Sequence, residues 1–141
     1  MCLQVFVDRD QEKYSELKPY AMKLGSAFQK INFLRDLKSD FESLGRCYFP
    51  GIEINEFDNR IKKEIESDIA NDFKIGFEGI QMLPKNAKLG VYIAYVYYFN
   101  LFKKIKKLPA KEVLNSRIRI SNKRKTSLFF VSYFKLKFNF I

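Results

Sequence analysis

The sequence predicts an all-α fold, on three observations: apolar residues recur at helical spacing through two long segments, a third segment is apolar on nearly every side, and turn signals separate them. From about residue 14 to 44, Leu17, Leu24, Phe28, Ile31, Leu34 and Phe41 fall at intervals built from threes and fours, the period of one helix face. Pro19 is accommodated in the first turns. Gly45 stops this helix, and Pro50 and Gly51 turn the chain. A second helix is expected over 58–83, with Ile61, Ile65, Ile69, Phe73, Phe77 and Ile80 on one face and Pro84 closing it. The third, over 88–107, is predicted to be the buried centre of the set. After a break at 108–111 and a short segment ending in RIRIS, residues 123–138 alternate in a way that also suits a strand; with helices all around, a helix is predicted. Residues 1–7 read as the last turns of a helix already in progress, followed by the polar break DRDQEK.

At 141 residues the chain has one-domain length, and 47% apolar content with 15 Phe and 8 Tyr suffices for a packed core. The net charge of +10 is unevenly spread. Residues 103–137 hold twelve Lys or Arg against Glu112 alone, so the excess at that end implies either a solvated helix or an anionic partner: a phosphate ester, a nucleic acid or a membrane surface.

Several chemistries are excluded. The chain has no His, and Cys2 and Cys47 lie far apart, which argues against a zinc site, a redox pair or a His-activated nucleophile. Any metal should be a hard ion on oxygen ligands. The opening residues lack a secretory pattern, which leads us to expect a cytoplasmic setting. Segment 89–102 falls short of the roughly 20 residues that span a bilayer.

Chemistry concentrates on the first long helix. Gln29, Asn32, Asp36 and Asp40 are spaced three, four and four apart and so share one narrow stripe, away from the apolar one. Two Asp at i and i+4 repel unless a cation sits between them, and magnesium, which keeps positions open for phosphate, suits that arrangement. The same stripe continues toward the N-terminus through Gly25 and Met22, small or apolar residues that would leave room for a greasy ligand beside the metal end. Surface helices often carry such Asp pairs, and spacing alone does not decide the matter.

Within residues 20–50, the run LGSAFQKINFLRDLKSDFESLGRCYFP resembles the second signature of the squalene/phytoene synthase family: Gln and Asn before Arg-Asp, a second Asp four residues on, and a Gly-Arg-x-Tyr-x-Pro turn. The Tyr-rich stretch 92–102 and the basic segment 117–125 are also similar to the family's C-terminal part. The resemblance implies the C-terminal half of an isoprenoid-synthase-type helical bundle. It further implies that Asn32, Asp36 and Asp40 help bind Mg2+, that Gln29 contacts a prenyl diphosphate or its metal cluster, that Arg46 contacts the diphosphate, and that Tyr98 and Arg117 face it from later helices; on the stripe, Gly25 and Met22 would stand beside the substrate. Tyr95 or Tyr97 could stand in for Tyr98, and Arg35 could simply pair with a neighbouring acid.

The implied reaction joins two prenyl diphosphates head to head in a dry aromatic cavity, with phytoene from geranylgeranyl diphosphate preferred over squalene or hydroxysqualene. Family members carry an earlier aspartate-rich helix for which this sequence has no candidate; Asp8 and Asp10 have the wrong spacing. Met1 is therefore read as an internal methionine, and the isolated chain is expected to have little or no activity and to self-associate through an uncovered apolar face; a separately encoded N-terminal half could restore activity. Peripheral attachment to a membrane through the basic end is compatible with this reading. A competing reading takes RIRISNKRK as a nucleic-acid patch, but no aromatic platform or binding motif accompanies it, so no nucleic acid is expected.

Overall fold

The computed structural model describes residues 2–44, 57–115 and 118–137. These residues form helices α1 (Cys2–Phe6), α2 (Gln11–Leu44), α3 (Asn59–Met82), α4 (Lys85–Lys106), α5 (Ala110–Asn115) and α6 (Asn122–Lys137), with no strand among them. The all-α expectation holds, and the final segment is helical. The expected turn at Gly45, Pro50 and Gly51 lies outside the described residues.

Local chemistry sets where the helices begin. Asp10 Oδ1 accepts from the amides of Glu12 and Lys13, both at 3.1 Å, and starts α2. Asp58 Oδ1 does the same for Arg60 and Ile61 at 2.8 Å, starting α3. Between α1 and α2 the chain reverses through Asp8 and Arg9, whose φ angles of 52° and 64° are left-handed. Because α2 starts at Gln11 and not near residue 14, Pro19 stands further inside the helix than the first turns expected for it. The Ala110 amide, the first donor of α5, is met by Asn59 Oδ1 at 2.9 Å, which ties the start of α5 to the start of α3.

The centre of the bundle is α2, which packs against α1, α3, α4 and α5. Its buried residues Leu17, Leu24, Ile31 and Leu34 are those the periodicity predicts, joined by Ala27 and Leu37. From α3, Ile65, Ile69, Phe73 and Ile80 meet them. Phe73 collects an aromatic cluster, with ring centroids at 5.4 Å to Tyr95 and Phe99 and 5.8 Å to Phe102.

The expectation that residues 88–107 form the buried centre is corrected. Only Tyr92, Leu101, Phe102 and Ile105 of α4 are buried, and most of its aromatic stretch is half-exposed. The helix lies on the flank, against α2, α3 and α6, where one side packs on Phe73 and the half-exposed rings also shelter one another, Tyr95 stacking on Phe99 at 5.6 Å. No helix among the described residues is long and apolar enough to cross a membrane.

Candidate functional site

Because α2 runs unbroken from Gln11 to Leu44, the backbone positions of Gln29, Asn32, Asp36 and Asp40 share one ridge. Gln29 is exposed. Asn32 is half-buried, and its Oδ1 is shielded from solvent without a hydrogen-bond partner among the described residues. A buried carbonyl oxygen left this way is unfavourable, and its free lone pairs are suited to a hard cation.

Asp36 is 20% exposed and held by Arg35, whose Nε donates to Oδ2 at 3.0 Å and whose terminal nitrogen also bonds it. Hydrogen bonding to Asp36 drives the Arg35 guanidinium above its ordinary range, against the opposing effect of burial. The side chain of Asp40, and Arg46 and Arg117 altogether, lie outside the described residues. Among the described residues no three Asp, Glu, Cys or His cluster closely enough to hold a metal. The donors that fit magnesium on the ridge are the amide oxygen of Asn32 and the carboxylate of Asp36.

Beside the N-terminal part of this ridge lies an apolar cavity of about 480 Å3, within the roughly 300–1,000 Å3 of small-ligand pockets. Gly25, Leu24 and Phe28 of α2 line it, facing Gly76 and Gly79 of α3, with Leu3 and Phe6 of α1 at another part of the wall. By helix geometry Asn32 stands about 20° round α2 from Gly25 and about 40° from Phe28, so the orphaned oxygen and the cavity lie on neighbouring arcs of one helix. Met22 does not join them; it is 66% exposed and absent from the lining, because its position on the stripe carries it past the edge of the groove.

The tyrosines of α4 are separated by their surroundings. Tyr98 stacks on Phe28 with centroids 4.1 Å apart, and both Tyr98 and Tyr97 are electrostatic neighbours of Arg35. Tyr95 instead packs edge-on against Phe73 and lies 5.2 Å from Phe77, and burial raises its hydroxyl pKa. Of the three, Tyr98 and Tyr97 are the ones beside the ridge, while Tyr95 belongs to the core.

Known proteins match this same part of the chain. The family model for squalene/phytoene synthase matches residues 1–63, which contain the ridge and all of the α2 lining of the cavity. That match takes in less than half of the chain, and over it the sequence is similar to the squalene/phytoene synthase family. A protein named 4,4'-diapophytoene synthase from Staphylococcus haemolyticus (strain JCSC1435) is 42% identical over 57 residues, 40% of this chain and 20% of the relative. A bifunctional lycopene cyclase/phytoene synthase from Blakeslea trispora is 39% identical over 51 residues, 36% of this chain and 8% of that protein. The chain thus covers a fifth or less of these synthases in the matched region. No solved structure matches it.

Sequence reasoning missed one device that fixes α2 in place. Asp72 of α3 is fully buried and accepts from Ser26 at 2.9 Å and from Lys30 at 2.7 Å, with Lys23 Nζ 3.0 Å from its other oxygen. Lys30 also bonds Asp68. Burial would raise the Asp72 carboxyl, but the three donors outweigh it and hold the group below its usual range. The available signal was basic residues seven apart on α2 and acids four apart on α3, which become complementary only once the two helices are in register.

Proposed function

We propose that the ridge of α2 holds the magnesium-bound diphosphate of a prenyl donor, with the prenyl chain in the adjoining apolar cavity, as part of a synthase that joins two prenyl diphosphates head to head. The observation that carries this reading is the Oδ1 of Asn32, shielded and without a partner among the described residues, with the Asp36 carboxylate one turn on and an apolar cavity toward the N-terminal end of the same stripe. Both relatives have phytoene-type names, which favours a phytoene-type product over squalene.

Asn32 and Asp36, with Asp40 at the next turn, would hold the metal, which when bound supplies positive charge to a departing diphosphate. Arg35 shares the Asp36 carboxylate and restrains its orientation through those hydrogen bonds. Gln29, exposed on the same stripe, is free to donate to a diphosphate oxygen. Phe28 and Tyr98, stacked face to face, form an aromatic wall where an allylic cation needs shelter from water. The described residues supply one side of such a site, and turnover is assigned to the assembled enzyme of which this stretch is a part.

Thermal unfolding with magnesium and inorganic pyrophosphate tests the reading without requiring turnover. A stabilisation is expected only when both are present, reaching about 2.7 kcal/mol at a hundredfold excess over Kd. Asn32→Leu should abolish that gain while making the unliganded chain about 1 kcal/mol more stable, because it removes a shielded oxygen that has no partner among the described residues. Asp36→Asn should also abolish it. A gain that survives both substitutions would refute the ridge as the binding site.

A further inference from the structure

Helix α6 packs against α4 and leaves an unusual surface. Phe129, Phe130, Tyr133 and Phe134 are 47%, 55%, 42% and 54% exposed, and Val131 is exposed beside them. At helical spacing the four aromatic positions span an arc of about 140°. The other large apolar side chains exposed among the described residues, Val5, Met22 and Met82, are scattered singly, which is ordinary. A concentration of rings on one helix is not.

Cationic positions flank the patch along the sequence. Helix α6 contains Lys123, Arg124, Lys125, Lys135 and Lys137 and no acid. The neighbouring end of α4 adds Lys103, Lys104 and Lys106, all exposed. A second copy of the chain docked symmetrically through this face would set these like charges against one another. An anionic bilayer answers both features: headgroup charge attracts the lysines and arginines, and the interfacial zone accepts aromatic rings. Since no described helix can span a bilayer, the contact would lie in the plane of the surface.

We propose that α6 is an interfacial helix that docks this chain on anionic lipid surfaces through Phe129, Phe130, Tyr133 and Phe134. The occupant is lipid, recognised by its negative headgroups and its apolar boundary, and the docking stands apart from the chemistry of the α2 ridge.

The test is flotation of the full chain with vesicles of phosphatidylcholine, with and without phosphatidylserine. Binding is expected to require phosphatidylserine, to weaken as salt is raised, and to fall about fivefold for each lysine of α6 replaced by glutamine. Phe130→Glu combined with Phe134→Glu should reduce it at least tenfold with helix content unchanged. Because the chain contains no Trp, Phe130→Trp introduces a single fluorophore whose emission should shift to the blue on phosphatidylserine vesicles, which keeps the test valid if the double variant misfolds. Equal binding to neutral vesicles, or an unshifted emission, would overturn the proposal. So would loss of self-association in the double variant while vesicle binding persists, or retention of single-stranded RNA by a chain that ignores vesicles.

Discussion

Gly79→Ala is expected to force α2 and α3 apart and cost the protein a large share of its stability. A Cβ at position 79 would lie 2.3 Å from the Cβ of Tyr20, the root of a side chain and not a mobile end, so relief requires the backbones to separate. Gly76 makes the same approach one turn earlier, its Cβ falling 2.9 Å from the Cβ and 3.1 Å from the Cα of Leu24. Overpacking of this kind costs about 1–3 kcal/mol or more, against about 1 kcal/mol gained from replacing a helical Gly. A net loss of about 2 kcal/mol is expected as a lower urea midpoint. Tyr20→Ala should not rescue it, because the clash is with Cβ itself, whereas Tyr20→Gly should. Gly90→Ala serves as the contrast: nothing lies within 4 Å of its added Cβ, and stability should rise by about 0.5–1 kcal/mol. An unchanged midpoint in Gly79→Ala would mean that the two helices do not approach as described.

Asp72→Asn is expected to cost about 2–3 kcal/mol and to reshape the pH profile of stability. The magnitude lies at or below the low end for breaking a buried pair because the partners can rehydrate, Lys23 being 46% exposed and Lys30 23%. The folded carboxyl titrates below its unfolded value of about 3.9, so its contribution is complete above that pH and is lost as pH falls through the folded value. Lys30 shifts the other way: burial lowers it, but its bonds to Asp68 and Asp72 outweigh that and raise it. Its contribution is therefore complete below about pH 10.4 and disappears as pH rises through the folded value. The wild-type melting temperature should be flat across neutral pH and fall at both ends. In Asp72→Asn the acid limb should flatten and the alkaline limb diminish. A variant that melts like wild type at every pH would remove this cluster from the stabilising contacts.

How much of this was legible beforehand differs by residue. Leu17, Leu24, Ile31 and Leu34 on α2, and Ile65, Ile69, Phe73 and Ile80 on α3, lie where the 3.6-residue period put them, since a stripe of that width has only one way to avoid water. The same period puts the amide and carboxylate positions on one stripe, but it does not foretell that Asn32 Oδ1 is shielded from solvent. The place of α4 could not, because an apolar content spread round a helix is compatible with a central position and also with a flank where rings cover one another. Tyr95 and Tyr98 differ by less than one turn, and only the positions of Phe28 and Phe73 on two other helices decide which faces the ridge. Likewise, the bonds from Lys30 to Asp72 and from Ser26 to Asp72 join residues 42 and 46 apart, and no local pattern sets that register.

The side-chain cap that Asn59 places on Ala110 has a kinetic consequence. Donor and acceptor are 51 residues apart, so the amide that opens α5 finds its partner only after the chain between them has been looped back. Nucleation of so short a helix cannot come from its own sequence. Its appearance should report a late step of folding, after the α3–α4 hairpin has closed and brought the distant amide within reach.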